Sequence, residues 1–254
     1  MKEDEWVTGN VTLTIGGAPL NMQMTVPATP VKPMRMLPIL QAMTSSFVEM
    51  GVNAEETLGR KISCQKGCGA CCRQPVPLAE MEAYQIAELV ENMPEPRRSE
   101  IKQKFEDACA HLREIGWFER LEECPKSSPE TQEKVVMEYF HEGIPCPFLE
   151  DESCSIHQDR PLACREYLVT SPAENCASPT AATIKMVHLL VKPSESLRHV
   201  GRSENLQKIG FVPMIRSLEW AEKYPEELPE KTGEQWMADF FTVLTQSQIP
   251  TNQN

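Results

Sequence analysis

Four cysteines fall within nine residues, Cys64-Gln65-Lys66-Gly67-Cys68-Gly69-Ala70-Cys71-Cys72, with Arg73 directly after them. Thiolates are soft donors suited to zinc and to iron–sulfur clusters. Glycine between them lets a short backbone turn wrap an ion and brings amide N–H groups close to anionic sulfur. A second group follows: Cys146-Pro147-Phe148-Leu149, Cys154-Ser155-Ile156, Arg160-Pro161-Leu162-Ala163-Cys164-Arg165, and finally Cys176. The stretch between Phe148 and Ile156 suits a small hairpin that sets Cys146 beside Cys154. Eight thiols divide into two four-coordinate sites, or into one such site with accessory or redox thiols beside it. Adjacent side chains on an extended backbone point apart, so Cys71 and Cys72 are expected to serve different centres.

The other two of the ten cysteines read differently. Cys109 lies on the apolar stripe of a helix, where packing is its expected role, and Cys124, in a loop before Pro125, is not expected to be a ligand. Of the five histidines only His157 lies within the cysteine groups. It is read as a polar turn residue, so ligation is expected to be by thiolate alone. Arg73, Arg160 and Arg165 stand beside the cysteines, where guanidinium groups offset thiolate charge; ion pairing with the Glu150-Asp151-Glu152 run is the competing reading.

These residues need elements to hold them. Val11, Leu13 and Ile15, then Gly16-Gly17, then Leu20, Met22, Met24 and Val26 alternate as a β-hairpin does, and Pro27, Pro30 and Pro33 end it. Helical spacing from Pro38 (Ile39, Leu40, Met43, Phe47, Val48) predicts a helix that leads to the first cysteine group. Between the two groups, helices are predicted over about Leu78–Glu91, from Pro96 along Ile101, Phe105, Ala108, Leu112 and Ile115, and over about Glu130–His141. A strand over Ile184–Val191 and helices over about Val212–Lys223 and Glu234–Gln246 complete the chain, with a disordered tail from Ile249. The expected fold is therefore α+β and mostly helical. Residues 1–36 form hairpin and linker, 37–180 a cysteine-cluster domain with a helical insert at about 78–142, 181–248 a strand and helices packed on it, and 249–254 the tail. The hairpin is expected to pack against the metal loops.

At 254 residues the chain can bury its own core, and a formal charge of −12 argues against general affinity for nucleic acid or an anionic membrane. Residues 1–10 carry no basic start followed by an apolar run, and no apolar stretch is long enough to span a bilayer. The expectation is a soluble cytoplasmic protein whose cysteines serve metal or redox chemistry rather than disulfides.

The region from Cys64 to Cys176 resembles the cysteine-cluster family known for a CxxCxxCC motif and described as zinc- or iron-chelating, the YkgJ family. Its downstream pattern Cys-Pro-x-Leu, Cys-x-Ile, Arg-Pro-x-x-Cys-Arg is matched by Cys146–Leu149, Cys154–Ile156 and Arg160–Arg165. This chain has three residues between Cys64 and Cys68, and His157 where the family often has tyrosine. The resemblance implies a bacterial protein, metal chelation and, in many members, an iron–sulfur label. A similar cluster accompanies flagellin lysine methylation, which suggests, by analogy, an accessory role in a protein-modifying methyltransferase system.

The leading expectation is an iron–sulfur protein, with a four-iron four-sulfur cluster in a redox or electron-transfer role and a redox protein as partner. Its ligands would come from Cys64, Cys68, Cys71, Cys72, Cys146, Cys154, Cys164 and Cys176. The alternative is zinc in closed thiolate sites. The chain has no G-x-G-x-x-G, H-E-x-x-H, G-x-S-x-G or phosphate loop, so no catalytic acid, base or nucleophile is named.

Overall fold

The computed structural model describes residues 5–180, 182–206 and 209–246. It is mostly helical with an N-terminal antiparallel hairpin, the α+β class expected. Strands β1 (Trp6–Ile15) and β2 (Ala18–Pro27) pair through the Gly16-Gly17 turn, with Leu13 opposite Leu20 and Val11 opposite Met22. The hairpin's buried face does not rest on the cysteine loops as expected. Leu13, Ile15 and Val26 instead share a core with Leu37 and Leu40 of helix α1 (Leu37–Thr57) and with Trp236, Phe240 and Leu244 of the C-terminal helix, Gly233–Gln246. The C-terminal helix is apolar on the face that meets the strands, with Trp236, Met237, Phe240, Phe241 and Leu244 in that core.

After the first cysteines, β3 (Pro77–Leu78) leads into α2 (Glu80–Glu91), α3 (Arg97–Glu114), α4 (Trp117–Glu123) and α5 (Pro129–Glu142). The predicted α2, α3 and α5 are present within a few residues of their expected ends. Helix α4 was not predicted: at seven residues it is too short to show a period, and its Trp117 is locked by a 2.8 Å hydrogen bond to the Val135 carbonyl. The four helices enclose a core of Ile86, Ile101, Phe105, Cys109, Leu112, Trp117 and Tyr139. Phe148 and Ile156 from the second cysteine segment complete it.

That segment forms the expected small hairpin, β4 (Leu149–Glu150) with β5 (Ser153–Cys154), then α6 (Leu162–Glu166). Helix α6 sits between the two cores: Leu162 packs with the hairpin and α1, while Ala163 and Cys164 lean on the α2–α5 core. The run Ile184–Val191 is not a strand. It makes one bridge, Val169 to Met186, and buries Val187, Leu189 and Val191; the 168–170 segment is too short to extend a ladder. Helix α7 (Pro193–Leu197) follows. The predicted helix from Val212 starts late: Val212–Pro213 form β6 against β3, a turn at Met214–Arg216 intervenes, and α8 spans Ser217–Lys223 before α9, the Gly233–Gln246 helix. The predicted tail from Ile249 lies outside the described residues. No helix among the described residues is long and apolar enough to cross a membrane.

Two buried carboxyls tie α6 in place. Glu82 accepts the Ala79 and Leu162 amides at 2.9 and 2.8 Å, joining the start of α2 to the start of α6, and Glu166 accepts Ser194 N–H at 2.7 Å, joining α6 to α7. Burial pushes both up from 4.5 to about 7. Between those values the folded protein holds protons that the unfolded chain has released, so this contribution to stability is complete below 4.5 and is lost as pH rises to about 7. In urea unfolding, the Glu82→Gln variant should lose part of the wild-type decline across that window, by at most about 3 kcal/mol. An identical pH slope in wild type and variant would remove Glu82 from this role.

Candidate metal centre

The first cysteine loop is set by two glycines with different jobs. Gly67 has φ +87°, a left-handed conformation that turns the chain between Cys64 and Cys68. Gly69 has an ordinary φ of −95° but no room: a Cβ there would lie 2.7 Å from Leu149 Cδ1 and 3.2 Å from Glu152 Cα. The absence of a side chain at Gly69 lets the first loop lie directly on the β4–β5 hairpin. Arg73 locks the contact, gripping Glu152 through both guanidinium ends at 2.7 and 3.1 Å and donating to the Gly69 carbonyl at 2.9 Å. Glu152 and Asp151 both have positive φ, +55° and +48°, strain that a tight hairpin turn imposes on residues other than glycine. The Arg73 clamp helps hold that turn.

Residues Ala70–Arg73 form a single helical turn rather than an extended strand. The expectation that Cys71 and Cys72 point apart is therefore wrong in its premise, and the two thiols are hydrogen bonded to each other. Cys146 N–H donates to the Cys72 carbonyl at 2.7 Å, which brings the second cysteine group onto the first. The Ser63 amide donates to the Val169 carbonyl at 2.9 Å, and the Val169 amide donates to Cys64 Sγ at 3.4 Å. Phe148 and Ile156 amides similarly serve the sulfurs of Cys146 and Cys154, each two residues on from its cysteine.

The result is one cavity of ≈ 640 Å³ whose wall includes Cys64, Cys68, Cys71, Cys72, Cys146, Cys154, Cys164 and Cys176. Cys109 and Cys124 lie elsewhere. Cys109 is fully buried and bonds the Ile215 carbonyl at 3.0 Å, while Cys124 begins a turn after α4. All ten cysteines are free thiols. Among the described residues no three Cys, His, Asp or Glu side chains are drawn to the spacing of a coordination sphere.

Residues 63–183 match the family model CxxCxxCC, whose description is "Putative zinc- or iron-chelating domain". That segment is a CxxCxxCC domain. No curated protein and no solved structure matches the chain. The CxxCxxCC segment contains all ten cysteines, so the match alone does not single out eight of them. The tertiary structure makes that division.

Burial pushes the Cys146 thiol up to about 12 and the Cys176 thiol to about 11, and neighbouring thiols add to both. Cys164 is raised well above the ordinary thiol range, first by burial and then by Cys146, and Cys71 is raised first by its bond to Cys72 and then by burial. Without a cation these groups hold their protons; a bound metal ion supplies the charge that ionises them.

The three arginines are told apart by their partners. Arg73 is paired with Glu152. Arg165 donates to the carbonyls of Arg160 and Gln158 and to Ser45 Oγ, a structural role beside α6. Arg160 lines the cavity, has a buried Nε without a hydrogen-bond partner, and its charge favours ionisation of Cys64, Cys71 and Cys154. His157 also lines the cavity; the Arg160 charge and then burial hold it below the ordinary histidine range, so it faces the thiols as a neutral imidazole. Sequence reading missed Tyr167, which lines the cavity and hydrogen bonds Cys176. No local signal marks it, since its direction depends on how the chain leaves α6.

Gly69→Ala should press the first loop away from the β4–β5 hairpin, cost about 1–3 kcal/mol, and speed metal loss to a chelator. Retained stability and retained metal would show that the two loops need no such contact. Arg160→Gln should weaken metal retention roughly threefold to tenfold, as expected of one partly solvated charge. The same change at Arg73 should act mainly on stability, and equal retention losses for the two would erase the distinction drawn between them.

Proposed function

We propose that this chain is an iron–sulfur protein whose cavity thiols hold a four-iron four-sulfur cluster for one-electron transfer with a redox partner protein. The observation that carries this reading is the convergence of eight thiols, from two sequence groups more than seventy residues apart, on one ≈ 640 Å³ cavity. That donor set fits the group: it is rich in sulfur, with His157 adding an imidazole to the wall, and backbone amides already point at Cys64, Cys146 and Cys154. Amide hydrogen bonds to sulfur and a nearby cation tune the potential of such a centre.

When bound, the cluster supplies a one-electron couple. The chain's own residues do the rest. Phe148, fully buried and edge-on to Phe105 at 5.6 Å between ring centroids, backs the Cys146–Cys154 hairpin against the helical core and keeps water from that side. Arg160 offsets the negative charge that thiolate ligation brings into the cavity.

Zinc in closed thiolate sites is the second reading, favoured by the family description, which names zinc beside iron. Anaerobic purification followed by metal analysis, acid-labile sulfide and a visible spectrum separates the two. The expected result is iron with matching sulfide and a broad brown absorption. Zinc in a colourless protein would overturn the iron–sulfur reading in favour of the second, and a protein that takes up neither metal would sink both.

A further inference from the structure

On the Cys64 side, the wall of the cavity continues outward into a surface built from three strips of chain. Ser63 N–H donates to the Val169 carbonyl at 2.9 Å, and residues 168–170 pair in turn with 185–187, through Thr170 N–H to the Lys185 carbonyl and Val187 N–H to the Leu168 carbonyl, both at 2.8 Å. Residues 187–189 then pack on α1: a Cβ at Gly51 would lie 2.7 Å from Leu189 Cδ2, and Glu55 accepts the His188 amide at 3.5 Å. The chain from Glu55 to Ser63 is thus tied at one end to His188 and at the other to Val169, the bridge partner of Met186. Leu58, between those two ties, and Met186 therefore lie on one stretch of surface, beside the cavity wall that Cys64 and Leu168 form.

That stretch is apolar where water reaches it. Six large apolar side chains are exposed among the described residues, and four of them, Met50, Leu58, Met186 and Leu190, belong to α1, its C-terminal end and the strip packed on it, with Leu58 65% exposed. Its charge is also opposite to that of the molecule. Residues 58–79 hold Arg60, Lys61, Lys66 and Arg73 and no acid, and 153–202 hold six basic residues to four acidic ones, whereas 80–152 hold 19 acidic to 8 basic. Arg60 is paired with Glu55 and Arg73 with Glu152. Lys61, Lys66 and Lys185 are exposed and form no ion pair among the described residues, and they outnumber the exposed Glu56 at the end of α1. An apolar centre with a rim of one sign is the composition of a protein-docking patch.

Resting on the iron–sulfur reading above, we propose that the patch centred on Leu58 and Met186 and rimmed by Lys61, Lys66 and Lys185 is where the redox partner docks. The partner is a protein with acidic side chains around an apolar centre. Charge complementarity selects it: the patch attracts acidic groups while the acidic insert repels them, so an acidic partner is turned toward the Cys64 wall of the cavity. An anionic bilayer fits less well, because a flat charged surface also meets the rest of a chain whose net charge is −12.

Flavodoxin, a small acidic electron-transfer protein, is the probe, and its binding to the full-length protein is read by fluorescence anisotropy. Binding should weaken about tenfold or more between low and high salt. K61E/K185E should weaken it about tenfold at low salt, with the gap closing at high salt. K126E/K134E, which changes the net charge equally but on the insert, should shift it by less than about twofold. L58S/M186S should weaken binding roughly fivefold at either salt concentration, and Val136→Ser on α5 should leave it unchanged. Equal losses in the two charge variants would overturn the surface. So would wild-type binding in L58S/M186S, no flavodoxin binding at low salt, or tighter binding of the basic cytochrome c. Self-association in sedimentation, or capture by vesicles containing anionic lipid, that K61E/K185E abolishes would overturn it too, by assigning the patch to a second copy or to a bilayer. Iron and sulfide measured on the same preparation keep the two readings apart: a colourless protein without them that still binds flavodoxin through this patch would overturn the iron–sulfur reading alone.

Discussion

Thiols crowded out of water are hard to ionise one by one, and harder still together. Eight of them share one cavity here, and burial and mutual repulsion hold Cys146, Cys164 and Cys176 well above the ordinary thiol range. A cation reverses that balance, because each thiolate it ionises becomes an attraction rather than a cost. The surrounding structure meets this constraint: it holds the sulfurs in place without disulfides and gives them backbone amides and a guanidinium in advance.

Holding them requires stiff walls, and the helices between the cysteine groups provide one. The α2–α5 core closes over Phe148 and Ile156, so the β4–β5 hairpin with Cys146 and Cys154 is anchored by apolar burial rather than by the metal. Helix α6, which carries Cys164, is wedged between this core and the one built on β1, β2, α1 and α9. Glu82 fixes its first turn and Glu166 its last. The N-terminal hairpin therefore reaches the site indirectly, by completing the core on which Leu162 rests.

Charge is distributed with the same economy. Glu152 draws Arg73 into a clamp across the two loops, which leaves Arg160 as the cation facing Cys64, Cys71 and Cys154. Two arginines of one short segment thus serve different ends: Arg165 ties backbone carbonyls together, and Arg160 meets the sulfurs.

Much of this was legible in the residues alone. The Gly-spaced Cys64–Cys72 loop, the Cys-Pro and Cys-x-Ile hairpin and the setting of Cys109 among apolar residues are local patterns, and local patterns survive folding: the hairpins and helices α1, α2, α3, α5 and α9 follow from periodicity and turn residues. What periodicity cannot carry is which face meets which. The packing of β1 and β2 on α9, the buried side of 187–191, the helical turn that joins Cys71 to Cys72, and the distinct partners of Arg73, Arg160 and Arg165 all depend on contacts between residues far apart in the chain. The sequence by itself determined that thiols would be gathered in two local groups. Only the tertiary structure decided that the groups share one cavity, because that requires Gly69 to seat one loop on the other and a buried Glu82 to hold the helix that brings Cys164 between them.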